Sequence, residues 1–154
     1  MTDWSIAEES PLGADLGTLM QRHTQAMHFD TPPESIYMMD AGALAAPGIR
    51  FFVMREGGRA IGMGALKRLS GDHAEIKSMH VLSEARGRGL ARAMVDHLVA
   101  AARADGVVRL SLETGPQASF AAARGLYEAA GFGYCGPFEG YGDDPNSAFM
   151  TKVI

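Results

Sequence analysis

Residues 79–91 read Met-His-Val-Leu-Ser-Glu-Ala-Arg-Gly-Arg-Gly-Leu-Ala, the pattern of a strand end, a turn rich in glycine and arginine, and the first residues of a helix. Before this stretch, Ala74–Val81 mixes apolar and polar residues in rough alternation, as a half-buried strand does. After it, apolar residues recur at spacings of three and four, which places them on one helical face: Leu90, Met94, Val95, Leu98 and Val99.

The loop between strand and helix predicts an anion site. Gly87 and Gly89 lack a Cβ, so the main chain can turn sharply and approach a ligand closely. The first turn of a helix carries unpaired N–H groups and a partial positive charge, and phosphate is its usual ligand. An ordinary turn with solvated arginines is the alternative. The loop is neither a nicotinamide-cofactor fingerprint, because Arg92 occupies the third glycine position, nor a P-loop, because no Gly-Lys-Ser or Gly-Lys-Thr follows.

Two segments together resemble the GNAT family of N-acetyltransferases. That family's acyl-CoA loop reads Gln or Arg, two residues, Gly, one residue, then Gly or Ala, and Arg86–Ala91 matches it. Downstream, Leu126–Phe132 reads Leu-Tyr-Glu-Ala-Ala-Gly-Phe and resembles the family's Leu-Tyr-x-x-x-Gly-Phe segment. The resemblance runs from about Phe51 to the C-terminus, and the N-terminal third matches only in its order of elements.

The resemblance implies acetyl-CoA as cofactor. In the family, two neighbouring parallel strands splay apart, and peptide groups left unpaired there bind the pantetheine arm. By position these groups belong to Met79 and Val81. The loop would hold the diphosphate through its N–H groups, with Arg86 and Arg88 adding charge-assisted bonds. The implied cofactor-binding residues are Met79, His80, Val81, Arg86, Gly87, Arg88, Gly89, Leu90 and Ala91.

The implied reaction is acetyl transfer to a primary amine by direct attack in a ternary complex. Tyr127 matches the family's general acid, since a phenol with a pKa of about 10 is protonated at neutral pH and can donate to a leaving thiolate. The alternative is a tyrosine that only packs its helix. A main-chain N–H near Val81 resembles the family's oxyanion donor.

The predicted base is Glu75, acting directly or through water, because some family members carry a glutamate on this strand. Simple alternation would place Glu75, Lys77 and Met79 on one face and the side chain of His80, predicted to be structural, on the other. A solvated Glu75–Lys77 ion pair is the alternative, and such pairs contribute little to stability.

Candidate acceptor contacts lie in two segments. His28, Phe29 and Glu34 flank the Pro32-Pro33 break after the first helix, a region that commonly walls the acceptor site in the family. Tyr141 and, more weakly, Asp144 belong to the connection before the last strand. A loop packed for its own sake is the alternative for residues 28–35.

One departure from the family pattern concerns the asparagine that many members carry seven residues before the tyrosine. Phe120 stands there, and its task would pass to Ser119 or Gln117. His23, on the apolar stripe of the first helix, is predicted to be a histidine at the edge of the core.

The remaining elements complete a single α/β domain over residues 1–154. Since a strand–helix–strand crossover is nearly always right-handed and parallel, Ala74–Val81 and Val107–Leu112 are predicted to be parallel neighbours in a mixed, mostly antiparallel sheet flanked by helices, and the resemblance adds that this central pair splays. The other predicted strands are Trp4–Glu8, Arg50–Arg55, Ala60–Leu69, Phe132–Tyr134 and Ala148–Val153. Besides residues 90–104, helices are predicted around residues 16–27, within Ser35–Leu44 and over Ser119–Ala130.

Composition limits the classes of partner. A net charge of -4 gives no sign of a nucleic-acid partner. Cys135 is the only cysteine, so no internal disulfide forms. The acidic start without an apolar segment behind it predicts no signal peptide, and the longest aliphatic run, Leu98–Ala102, is too short to span a bilayer. A cytoplasmic protein without a metal site is the expectation.

Three functions remain open at this point. The first is an N-acetyltransferase acting on a small-molecule or peptide amine, for which the family allows a homodimer. The second is a non-catalytic acyl-CoA-binding regulatory module on the same fold. The third is an anion-binding domain unrelated to coenzyme A.

Overall fold

The computed structural model describes residues 3–154. Its strands are β1 (Trp4–Glu8), β2 (Ile49–Glu56), β3 (Arg59–Arg68), β4 (His73–Val81), β5 (Arg109–Thr114), β6 (Gly133–Cys135) and β7 (Ala148–Val153). Its α-helices are α1 (Gly17–Asp30), α2 (Ala41–Leu44), α3 (Leu90–Ala104) and α4 (Ala121–Ala129). No helix within this range is long and apolar enough to cross a bilayer.

The seven strands form one sheet in the order β1-β2-β3-β4-β5-β7-β6, so the predicted mixed sheet is confirmed. Every neighbouring pair is antiparallel except β4 and β5, which are parallel, as the crossover through α3 predicts. Their pairing begins at His73↔Arg109 and stops at Ile76↔Leu112. Beyond that point β4 continues to Val81 and β5 to Thr114 without pairing to each other. This gap is the predicted splay.

A bulge in β4 changes which side chains share a face. Met63 pairs with His80 and Ala65 with Lys77, so Gly64 alone stands opposite two residues, and one of these, Ser78, has a φ of +57°. The extra residue shifts the alternation by one position. A Cβ on Gly64 would lie 3.1 Å from Met79 Sδ, so Met79 is on the α3 side of the sheet.

The predicted placement of β4 side chains on the two faces of the sheet was therefore wrong for Met79 and for His80. Met79 faces α3 rather than joining Glu75 and Lys77. His80 lies on the same side as Lys77, with its ring 5.4 Å from that of His23 in α1. Alternation alone misses the bulge because it depends on the partner strand.

Helix α3 covers one face of β3 and β4, and its predicted apolar stripe is confirmed, since Leu90, Met94, Val95, Leu98 and Val99 are all buried. Gly64 allows the close approach, because a Cβ there would lie 3.0 Å from Leu98 Cδ1. At the other end of α3, Gly106 has a φ of +81° and follows the C-cap residue Asp105, where a left-handed glycine ends a helix.

Several predicted boundaries shift by one or more residues. Only Ala41–Leu44 of the predicted Ser35–Leu44 helix is helical, and the Asp40 side chain caps it by accepting from Ala43 N at 2.7 Å. Helix α4 begins at Ala121 after a single 3₁₀ turn, and β5 begins at Arg109 rather than Val107. The shifted α2 leaves residues 36–40 as an irregular segment.

Candidate active site

A cavity of about 670 Å³ opens where β4 and β5 separate. Its walls come from the unpaired end of β4, the glycine loop with the first turn of α3, the inner side of α4, the end of α1 and residues 35–38. The cavity therefore joins the predicted cofactor loop to part of the predicted acceptor region.

The glycine loop has the predicted backbone. Gly87 and Gly89 have φ values of +80° and +76°, a conformation that side chains other than glycine rarely adopt. Gly89 is the N-cap of α3 and no side chain caps the helix, so the first-turn N–H groups have no side-chain partner. Gly87, Gly89, Leu90 and Ala91 line the cavity. This geometry suits an anion.

The arginines of the loop have different partners. Arg88 makes two hydrogen bonds to the Glu56 carboxylate, one of them at 3.0 Å, and lies outside the cavity lining. Arg86 lines the cavity and donates from Nε to the Val81 carbonyl at 3.0 Å. Arg92, three residues after Gly89, also lines it. Sequence analysis did not predict Arg92 as a cation of this site. The signal available for it was its position in the first turn of α3, three residues after Gly89.

The Val81 carbonyl, one of the predicted pantetheine contacts, thereby already accepts a bond from Arg86. A carbonyl oxygen has a second lone pair, so this bond does not remove the position from the site. Met79, His80 and Val81 all line the cavity.

Tyr127 lies on the α4 wall of the cavity with 6% of its surface exposed. Its ring packs edge-on against Phe132 at 5.9 Å. Across residues 3–154 the Tyr127 hydroxyl has no hydrogen-bond partner. Burial raises the pKa of this phenol, so it is protonated at neutral pH. Tyr127 therefore presents an unused proton donor to the cavity.

Glu75, the predicted base, is only 2% exposed and does not line the cavity. Its carboxylate accepts a hydrogen bond from the Tyr141 hydroxyl at 2.5 Å and lies 3.5 Å from Lys77 Nζ. Lys77 Nζ donates in turn to the Tyr37 carbonyl at 2.8 Å and to the Tyr141 hydroxyl at 3.0 Å. The alternative of a solvated ion pair is wrong, because the side chains of Glu75 and Lys77 are only 2% and 10% exposed. Burial and the neighbouring Glu75 raise the pKa of Tyr141.

One of the predicted acceptor contacts lines the cavity, and the others do not. Phe29 lines the cavity at its rim and is 81% exposed. His28 and Glu34 are exposed and Tyr141 is occupied by Glu75 and Lys77, and none of the three lines the cavity. Helix geometry explains His28: α1 continues to Asp30, so Phe29 and His28 point about 100° apart.

The connection before α4 carries Phe120 at the position where many family members have asparagine. Phe120 and Ser119 line the cavity, and the Ser119 hydroxyl donates to Asp30 at 3.0 Å, joining the start of α4 to the end of α1. The Gln117 amide is buried without a partner in the described residues and does not line the cavity. Of the two predicted substitutes, Ser119 is the one that lines the cavity.

Glu113 is the functional candidate that sequence reasoning missed. It lies one residue beyond Leu112, the last β5 residue that pairs with β4, and it lines the cavity. Ser111 is the register partner of Glu75, so Glu113, two residues later, projects from the same face of the sheet. Burial raises the pKa of Glu113 to about 7. The signal available in the sequence was an acid at the carboxyl end of a parallel strand, where α/β sheets bind ligands.

His23 and His80 contribute two more cavity-lining side chains. Burial lowers the pKa of each to about 4, so both imidazoles are neutral at neutral pH. His23 is 6% exposed, deeper in the core than the edge position predicted for it.

The raised pKa of Glu113 predicts that the free energy of unfolding depends on pH. The folded-state pKa is about 7 and the ordinary value is 4.5. The stability that the protonated carboxyl contributes is therefore fully present below pH 4.5 and is lost as the pH rises through 7. A glutamine cannot titrate. We therefore expect Glu113→Gln to be more stable than the wild type by about 1–2 kcal/mol at pH 8, with the difference fading by pH 4.

Urea unfolding at both pH values measures this difference. Glu139→Gln, at an exposed position outside the cavity, is the matched control and should show no such trend. Equal stability of Glu113→Gln and wild type at pH 8 would contradict the shift.

A family model described as the acetyltransferase (GNAT) family matches residues 16–132. The chain belongs to this family. The GNAT resemblance of the loop and of the Leu126–Phe132 segment is thereby confirmed. Two relatives support it: an uncharacterized N-acetyltransferase, YsnE, of Bacillus subtilis is 45% identical over 142 residues, which cover 92% of this chain and 94% of the relative. An IAA acetyltransferase of Azospirillum brasilense is 38% identical over 155 residues, covering 100% of both chains.

The GNAT fold is also found by comparison with solved structures. A GNAT family acetyltransferase from Elizabethkingia anophelis, solved with acetyl-CoA bound, matches with a TM-score of 0.72 over 100% of both chains at 15% identity. At that identity the likeness shows the fold alone. The predicted fold class is confirmed by it and by the seven-stranded mixed sheet.

Proposed function

We propose that this GNAT protein transfers an acetyl group from acetyl-CoA to a primary amine by direct attack in a ternary complex. The observation that carries the proposal is one continuous cavity. It runs from the glycine loop, past the separated strand ends and Tyr127, to the end of α1. Diphosphate, thioester and amine therefore have successive places along it.

The residues present fit acetyl-CoA, which would supply an activated acetyl group as a thioester. Positions 87 and 89 have open space where a Cβ would stand, so the loop amides are accessible to a diphosphate. Arg86 and Arg92 add positive charge on the same wall. The peptide groups of β4 beyond Ile76 have no β5 partner and suit a chain of amides such as pantetheine.

Tyr127 is proposed to protonate the departing thiolate. It is protonated at neutral pH, lies on the cavity wall and has no competing partner in the described part of the chain. A main-chain N–H near Val81 is the proposed donor to the carbonyl oxygen as negative charge develops there.

The assignment of Glu75 as base stays a prediction. Its carboxylate is held by Tyr141 and by Lys77, and the cavity does not reach it. A base must come within hydrogen-bond reach of its proton, directly or through one water. Glu75 would therefore act only through an intermediary, and its variant is compared below with that of Glu113.

The test combines binding and turnover. Acetyl-CoA is expected to raise the melting temperature, and at least one amine of a broad panel is expected to release free thiol from it. IAA is assayed beside the amines because the Azospirillum relative is named an IAA acetyltransferase. A thermal shift without turnover of any acceptor would favour the non-catalytic module, and the absence of a shift would favour the unrelated anion-binding domain.

A further inference from the structure

The far end of the cavity, which we call the acceptor arm, is lined by the end of α1, residues 35–38, Lys77, Glu113 and Asn146. Much of its wall is apolar. The apolar side chains are Ala26, Met27, Phe29, Ile36 and Met38. A wall of this kind favours an acceptor with a hydrophobic body.

Most polar groups of the acceptor arm are already satisfied. Asp144 accepts hydrogen bonds from Ser35 at 3.1 Å and from Tyr37 at 2.6 Å, and Asn146 Nδ2 donates to Ser35 Oγ at 3.4 Å. The Lys77 ammonium is shared among Tyr37, Tyr141 and Glu75. His23 is neutral at neutral pH. Among the described residues, the arm therefore offers a ligand carboxylate no free cation.

Glu113 is the exception among these groups. Its carboxylate lies on the cavity wall, the Ser147 hydroxyl is the one side-chain donor beside it, and no described cation forms an ion pair with it. A partly buried carboxylate with a single hydroxyl partner is costly to ionise unless a ligand supplies a further partner. A cationic or hydrogen-bond-donating group of the acceptor is the natural partner.

We propose that the acceptor is a hydrophobic primary amine without a carboxylate, and that Glu113 receives its ammonium group and takes its proton. The inference rests on the proposed acetyl transfer and names the acceptor class for the same site. In the reaction the ammonium gives one proton to Glu113, the free amine forms a C–N bond with the acetyl carbon, and the C–S bond breaks.

Tyr127 protonates the departing thiolate, and the second proton of the nitrogen, lost as the amide forms, passes through solvent to the Tyr127 tyrosinate. The net products are the acetylated amine, coenzyme A as thiol, and one proton released from Glu113 to solvent.

A matched series of amines tests the acceptor class. With saturating acetyl-CoA, 2-phenylethylamine and phenylalanine amide are expected to be turned over. Phenylalanine should have a kcat/KM about a hundredfold lower than its amide, because its carboxylate would be buried without a partner. Spermidine, which lacks a hydrophobic body, should be about tenfold poorer than 2-phenylethylamine. Phenylalanine within threefold of its amide, spermidine equal to 2-phenylethylamine, or IAA preferred over all amines would overturn the proposal.

Glu113→Gln tests the role of the carboxylate. At pH 7.5 its kcat/KM for 2-phenylethylamine is expected to fall about thirtyfold, with the KM for acetyl-CoA unchanged. In the wild type, kcat/KM should rise with pH through a midpoint near 7 as Glu113 loses its proton. In Glu113→Gln the rise of kcat/KM near pH 7 should be absent, and kcat/KM should instead increase continuously toward the pKa of the amine itself, about 10.

Other charged groups near Glu113 could contribute to the rise of kcat/KM near pH 7. They are Lys77 and Glu75 on β4, and Asp144, Tyr141 and Tyr37 from the segments packed over it. Glu75→Gln is therefore measured beside Glu113→Gln, with Glu139→Gln as the surface control. If the rise of kcat/KM near pH 7 disappears in Glu75→Gln and persists in Glu113→Gln, the proposal is overturned.

Failure of this proposal is distinguishable from failure of the proposed function. Thiol release with amines in the wrong order of preference, or in the absence of a Glu113 effect, overturns the acceptor assignment and leaves acetyl transfer standing. No thiol release with any acceptor overturns both.

Discussion

Replacing Tyr127 with phenylalanine is expected to lower kcat by about 300-fold while leaving the KM for acetyl-CoA within about twofold of the wild type. The change removes one hydroxyl and keeps the ring that packs against Phe132. That hydroxyl is the proposed donor to the leaving thiolate, and the buried phenol remains protonated across the neutral range. Initial rates of thiol release under saturating amine measure the effect.

Stability measurements separate this role from simple packing. Since the Tyr127 hydroxyl has no partner in the described residues, its loss should change the free energy of unfolding by less than about 0.5 kcal/mol. Tyr134→Phe is the matched control, because the Tyr134 hydroxyl lies on the surface and donates to Glu128 at 2.6 Å. Unchanged kcat in Tyr127→Phe, or a loss of stability that accounts for lost activity, would support the structural alternative.

Replacing Gly89 with valine is expected to weaken acetyl-CoA binding by about a hundredfold. With a φ of +76°, position 89 disfavours any side chain and strongly disfavours a β-branched one, so the loop must move. Moving it withdraws amides that converge on the diphosphate, and two lost hydrogen bonds to a charged group account for a change of this size. Isothermal titration with acetyl-CoA measures it.

Gly106→Val is the matched control for this prediction. Gly106 has a similar φ of +81° and equally open surroundings, but it lies at the opposite end of α3, outside the cavity. Both variants should lose comparable stability, and only Gly89→Val should lose affinity. Equal affinity in the two variants would mean that the diphosphate does not rest on this loop.

The fold was predictable from the sequence wherever short-range chemistry sets it. The α3 stripe and the backbone of Gly87 and Gly89 follow from residues within one element or its adjacent turn, and the parallel pairing of β4 and β5 follows from three consecutive elements. Helical periodicity and glycine conformation need no knowledge of distant partners.

The features that the local pattern did not predict arise where a distant partner decides. Arg88 pairs with Glu56 on another strand, 32 positions away in sequence. The bulge at Ser78 arises from the pairing of β4 with β3, and it moves Met79 and His80 to faces that alternation does not predict. In each case the deciding interaction is a contact that the local pattern does not contain.

The sequence by itself determined the family and the backbone of the Gly-rich turn before α3, because these depend on local motifs and on glycine conformation. Only the tertiary structure decided which charged side chains are free. Glu75 and Lys77 satisfy each other and Tyr141, whereas Glu113 lines the cavity without an ion-pair partner among the described residues. The physical reason is that a carboxylate's availability depends on every group that folding brings around it, and those groups come from strands and loops far apart in the chain.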